Sequence, residues 1–150
     1  MDCKIVNNAG IDLRDMEQHI HGMYRHFDDQ IGFKKPPVMV FDSDPGNATK
    51  TLGKTAYYDP QTFEVHVYVD GRHPKDMMRS IAHELVHHCQ NENGMFDNDY
   101  STGENYAQKD PHLRKMEAEA YLKGNMCFRD WEDQYKTKNK DIFYERRIRK

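Results

Sequence analysis

The sequence predicts an α+β fold: a small, mostly antiparallel sheet with one hairpin, packed on a long helix, with a second helix beside the first. Three observations carry this. Residues 63–69 alternate apolar and polar side chains as a half-buried strand does, residues 74–92 repeat apolar positions every three or four residues, and residues 113–124 are rich in strong helix formers. At 150 residues the chain is long enough for a single core, so residues 1–150 are read as one domain with a basic tail over 136–150.

The first element is a helix over residues 11–30, because Leu13, Met16, Ile20, Met23, Tyr24 and Phe27 form one apolar stripe. His19, His21 and His26 lie on it at spacings of two, five and seven, which lack the i,i+3 or i,i+4 pairing a shared metal needs. They are read as a polar helix face. Val38-Met39-Val40-Phe41, after Pro36-Pro37, is a short buried strand closed by the turn residues that follow.

Residues 53–58 and 63–69 flank Asp59-Pro60-Gln61-Thr62, with Pro in its favoured turn position, and predict a β-hairpin. In its second arm Phe63, Val65, Val67 and Val69 alternate with Glu64, His66, Tyr68 and Asp70. That puts His66 on the solvent face. A sheet edge beside a helix is also a place where an extended peptide can add a strand.

The next helix spans residues 74–92. Pro74 suits the first helical position, Asp76 suits the positive N-terminal end, and Asn91, Asn93 and Gly94 supply a stop. Within it stands His83-Glu84-Leu85-Val86-His87. One turn brings residues i and i+4 to the same face, so His83 and His87 can hold one zinc ion while Glu84 turns toward a water beside it. The chemistry this pattern points to is hydrolysis.

A catalytic zinc takes three protein ligands and keeps a fourth position for water. The arrangement in which a Gly and a third His follow at short spacing is excluded, since those positions hold Gln90 and Asn93. A helix opened by Asp110-Pro111 offers two carboxylates instead. Glu117 shares a face with Leu113, Ala120, Tyr121 and Gly124, whose small members permit close helix approach; Glu119 lies on another, with Lys115, Met116 and Lys123. Helix geometry favours Glu117 as the third ligand and leaves Glu119 as a solvated charge or a partner to a ligating His.

His83-Glu84-Leu85-Val86-His87 followed by Glu117-Ala118-Glu119-Ala120 resembles the zincin metallopeptidases of the gluzincin type, whose third ligand is a glutamate on a second helix. Within them the chain is most similar to minimal phage and bacterial domains of the ImmA/IrrE kind, over residues 53–128. The resemblance implies a zincin-like domain binding one zinc ion through His83, His87 and Glu117, with Glu84 as general base. It also implies Asn or Asp one position after Ala120. This chain has Tyr121 there, so the first His must be braced in another way.

The expected reaction is hydrolysis of a peptide bond in a protein or peptide substrate, with Glu84 moving the proton. Tyr121, Tyr106, Tyr100 and His112 are the candidate donors to the oxyanion, and the loop over residues 93–110 is either a lid or a surface excursion. Three alternatives stand beside this. One takes His112 as third ligand, similar to SprT-like proteases that act on DNA-associated proteins; the second is a non-catalytic zinc-binding interaction module; the third is a metal-free globular domain.

Composition narrows the classes further. A net charge of -3 argues against general nucleic-acid binding, although seven Lys or Arg over residues 136–150 make a tail that can touch phosphate or, as a plain terminus, stay solvated. The mean hydropathy of -1.04 is low, so nine Tyr, seven Phe and nine Met must carry much of the burial. No apolar run approaches the ~20 residues of a membrane span and no secretory signal opens the chain. Cys3, Cys89 and Cys127 are odd in number and widely spaced, which fits reduced thiols and a cytoplasmic location.

Overall fold

The computed structural model describes residues 2–48, 55–96 and 111–138. In chain order these form β1 (Lys4–Asn7), α1 (Arg14–Ile31), β2 (Val38–Asp42), the single turn α2 (Pro45–Ala48), β3 (Ala56–Asp59), β4 (Glu64–Tyr68), α3 (Pro74–Glu92) and α4 (Pro111–Lys138). Among the described residues no helix is long and apolar enough to cross a membrane.

The strands make one mixed sheet in the order β1-β2-β4-β3. Ile5 lies opposite Met39 in a parallel pair, Met39 opposite Val65 in a second parallel pair, and Tyr58 opposite Val65 in the antiparallel hairpin. The expectation of a mostly antiparallel sheet is therefore corrected: two of the three pairings are parallel. The cause is α1, which links β1 to β2 as the crossover that parallel neighbours require. β1 itself is too short to show a period in the sequence, with only Ile5 and Val6 between polar neighbours.

Alternation then divides the sheet. Met39, Phe41, Val65 and Val67 are fully buried on the face covered by helices, where Ile20, Met23 and Phe27 of α1 and Met78, Ile81 and Leu85 of α3 complete the core. Each such side chain contributes about 1.5–3 kcal/mol on burial. The opposite face is less wet than the pattern predicts. His66 has only 16 % of its side chain exposed: its ring stacks on Tyr57 of the paired strand at 4.6 Å, and its two nitrogens meet Asp42 and Glu64, each at 3.0 Å. Cross-strand packing has withdrawn it from solvent.

α1 begins later than its apolar stripe, because residues 11–13 are spent on the turn that Asp12 closes by accepting from the Arg14 N–H at 3.0 Å. Its C-terminus is capped by Gly32 at a φ of 77°, a left-handed conformation glycine adopts without steric penalty. His19 does not lie on a polar face. It is buried, its Nδ1 at 2.8 Å from the Asp15 carbonyl and its ring edge-on to Trp131 of α4.

α3 has the predicted bounds, with the His73 ring accepting from the Lys75 N–H at its start. α4 runs well beyond Gly124 to Lys138, because Phe128 and Trp131 extend the seam that Leu113, Met116 and Ala120 begin. The three cysteines are free.

The C-terminal half of α3 is tied to the sheet by His88, a fully buried ring. Tyr58 of β3 donates its hydroxyl to His88 Nδ1 at 2.7 Å, His88 Nε2 donates to the Lys35 carbonyl at 2.7 Å, and Asn91 donates back to Tyr58 Oη at 3.0 Å. Burial lowers the pKa of His88, so the ring is held neutral with one donor and one acceptor nitrogen. Tyr58→Phe strands the buried Nδ1 without a donor and is expected to lower stability by about 1–3 kcal/mol. A urea-unfolding midpoint unchanged from the parent would show that this tether contributes nothing.

Candidate metal centre

His83 and His87 sit one turn apart on α3, their rings 4.9 Å apart between centroids and nearly perpendicular. Across from them, Glu117 of α4 points one oxygen at each. Glu117 Oε2 lies 3.1 Å from His83 Nε2, and Oε1 lies 2.7 Å from His87 Nε2. Donor atoms at about 2.0–2.1 Å from a tetrahedral zinc stand roughly 3.3 Å apart. The two Glu117–imidazole separations lie a few tenths of an ångström inside that spacing, and the set of two imidazoles and a carboxylate is one that zinc favours.

Glu84 completes the cluster: its carboxylate, His83 and His87 offer ligand atoms that all lie within 4.8 Å of one another. Two carboxylates thus face the same pair of rings, in opposite environments. Glu84 is 8 % exposed, and burial raises its pKa, with Glu117 adding to the rise against the pull of His87 and His83. For Glu117 burial acts in the same upward direction, but hydrogen bonds from His83 and His87 and their charges outweigh it and hold the carboxyl well below the usual range. Burial would likewise depress His87, yet its hydrogen bond to Glu117 and the nearby charges of Glu84 and Glu117 reverse the sign and raise it. Glu117 is the anion of the site and Glu84 the carboxylate with the higher proton affinity.

A further residue orients His87. Gln90 Oε1 accepts from His87 Nδ1 at 2.7 Å, which leaves Nε2 directed at Glu117 and defines which nitrogen can serve a metal. The Gln90 amide is held in turn: its Nε2 donates to the Met116 carbonyl at 3.0 Å and to Glu119 Oε1 at 2.9 Å. Glu119 therefore stands behind His87 through Gln90, while Glu117 meets the imidazoles. In the sequence Gln90 stands out only as the place where a Gly is missing, although a Gln three residues after a His lies within helical reach of it.

The remaining candidates separate clearly. His112 is bonded through Nε2 to the Met95 carbonyl at 2.9 Å. Tyr121 packs its ring on His83 at 4.5 Å and is 63 % exposed. It braces His83 by contact where the resemblance implies an Asn or Asp hydrogen bond. Tyr100 and Tyr106, most of the loop 93–110, and residues 139–150 of the basic tail lie outside the described residues.

Gly124 explains why Glu117 can reach. A Cβ there would lie 3.2 Å from His83 Cα and 3.3 Å from the Ala82 carbonyl carbon, closer than backbone atoms can yield to comfortably. With fully buried Ala120 one turn earlier, it lets α4 lie against α3 at the level of the imidazoles. Compared with protein-family models, with curated proteins and with solved structures, the chain matches none.

Two outcomes are expected. Gln90→Leu should weaken zinc binding by about 10- to 100-fold in competition with a chelating dye, and affinity equal to the parent would show that His87 is oriented without the amide. Gly124→Ala should push the helices apart, lowering stability by about 1–3 kcal/mol and zinc affinity with it. Retention of both in calorimetry and metal titration would mean that α4 can shift without moving Glu117.

Proposed function

We propose that this chain is a zinc-dependent metallopeptidase of the zincin type, with His83, His87 and Glu117 as metal ligands and Glu84 as general base. The observation that carries the proposal is the Glu117 carboxylate, which meets the Nε2 atoms of both histidines of the His-Glu-x-x-His turn. The resemblance to minimal domains of the ImmA/IrrE kind points the same way. An SprT-like site is less well supported, because its third ligand would be His112, which is engaged with Met95.

When bound, a zinc ion acidifies a water molecule and polarises a carbonyl. The residues of the chain do the rest. His83 and His87 present Nε2, and Gln90 keeps His87 in the tautomer that does so. Glu84 takes the proton of the attacking water on its carboxylate and returns it to the nitrogen of the departing amine. Its burial favours this exchange, since a carboxylate shielded from water holds a proton more readily than an exposed one. Of the oxyanion donor candidates, Tyr121 and His112 lie among the described residues, and Tyr121 is the one whose ring meets His83. β3 is an edge strand packed near α3, so an extended peptide can align beside the site by strand addition.

Purified protein is expected to hold about one zinc ion per chain by mass spectrometry and to lose it in His87→Ala and Glu117→Ala, with Glu119→Ala and His112→Ala retaining it. Glu84→Gln should keep the metal and reduce hydrolysis of casein or a quenched-fluorescence peptide library by about 10²- to 10⁴-fold. Hydrolysis by Glu84→Gln at the parental rate would remove the peptidase assignment and favour a zinc-binding module without catalysis.

A further inference from the structure

The row of residues that carries the two histidines continues toward the start of α3. Lys75, Arg79, His83 and His87 follow one another at four-residue intervals, and α4 lies antiparallel beside them. Glu117 meets His83 and His87, Gly124 adjoins His83, and Glu132 meets Lys75. On α4, Glu117, Tyr121, Asn125 and Arg129 follow at the same interval. One turn before His83 on α3 and one turn after Tyr121 on α4, these rows line a cleft of about 380 Å³ bounded by Lys75, Arg79, Asn125, Phe128, Arg129 and Glu132.

The charges of this cleft do not cancel. Its one carboxylate, Glu132, is 6 % exposed and is already faced by Lys75 at 3.3 Å and by Lys136 at 3.7 Å. Arg79 has only a loose contact with Asp76 at 3.9 Å, both side chains being more than half exposed, and such pairs hold little energy. Arg129 makes no ion pair or hydrogen bond among the described residues. One guanidinium group from each helix thus lines the cleft together with buried Phe128 and Asn125, and among the described residues the only ion pair either makes is the loose one of Arg79 with Asp76.

We infer that Arg79 and Arg129, with Asn125, form a subsite for a substrate carboxylate that selects peptides with an acidic group near the scissile bond. It rests on the peptidase reading of the neighbouring centre. Arg79 precedes His83 by one turn, about 6 Å along the axis, and Lys75 by two, about 12 Å. An extended peptide advances about 3.3 Å per residue, so the carboxylate belongs roughly two to four residues from the bond that is cleaved. Guanidinium groups suit it because their planar fork of N–H donors matches a carboxylate in two-point contact. The carboxylate can come from an Asp or Glu side chain or from the C-terminus of the peptide.

Binding tests this apart from cleavage. The zinc-loaded Glu84→Gln protein is titrated by fluorescence anisotropy with fluorescein-labelled peptides carrying a single Glu at successive positions. Each is paired with its Gln counterpart and made with a free or an amidated C-terminus. A Glu peptide should bind about tenfold or more tightly than its Gln partner if the side chain is read, or a free terminus more tightly than an amide if the end is read. That preference should vanish in the Arg79→Gln/Arg129→Gln protein, whose circular dichroism and zinc content should be unchanged because both side chains are exposed. No difference between the paired peptides, whether both bind or neither does, overturns the subsite, as does a preference that survives the double substitution. Failure of the wild-type protein to cleave any library peptide would count against the peptidase assignment and leave the binding result to stand or fall by itself.

Discussion

Glu117 joins two helices at the point where each is least able to stand alone. α3 presents two imidazoles on one turn, and without an acceptor on α4 their inward nitrogens would be buried polar atoms with a costly desolvation to offset. The carboxylate accepts from both. That demand explains the composition of α4 around it: small residues where α4 must lie close, in Ala120 and Gly124, and large apolar ones in Met116, Phe128 and Trp131 where it can stand off. Helix contact and site geometry are therefore one constraint.

The other side of α3 is held by different means. His83 and His87 face α4, whereas His88, the next residue, points into the sheet side and is bound by Tyr58 and by the backbone of Lys35. Consecutive histidines thus perform opposite tasks, one directing a nitrogen toward Glu117 of α4 and the other anchoring the helix in the core. Glu92 adds to the anchor by accepting from the backbone N–H groups of Lys34 and Lys35. A metal centre depends on such restraint, because ligand atoms must keep their positions to within a fraction of an ångström.

Electrostatics divides labour between residues of the same type. Glu84 and Glu117 are both partly or wholly withdrawn from water, but only Glu117 receives hydrogen bonds from two imidazoles, and their pKa values move in opposite directions. Glu117 and Glu119 are separated by a single residue and about 200° of helix rotation, which sends one to the histidines and the other to Gln90. The amide converts Glu119 into indirect support for His87, so that both carboxylates of the Glu-Ala-Glu segment act on the same ring from opposite ends.

Local chemistry was legible wherever it repeats along the chain. The bounds of α3 follow from Pro74 and the Asn-Gly stop, the hairpin from alternation around Pro60, and the convergence of His83 and His87 from the i,i+4 spacing, because helix and strand periods are properties of neighbouring residues. That Glu117 rather than Glu119 faces the two imidazoles was legible too, since small residues marked the face that could approach. Tertiary contact decided the rest. The parallel pairing of β1 and β2 depends on where α1 returns the chain, the withdrawal of His66 depends on Tyr57 across the strand, and the burial of His19 depends on Trp131 of a distant helix. Gln90 gained its meaning only when α4 delivered Met116 and Glu119 to its amide: one sequence position names a hydrogen-bonding group, and only the fold supplies its partner.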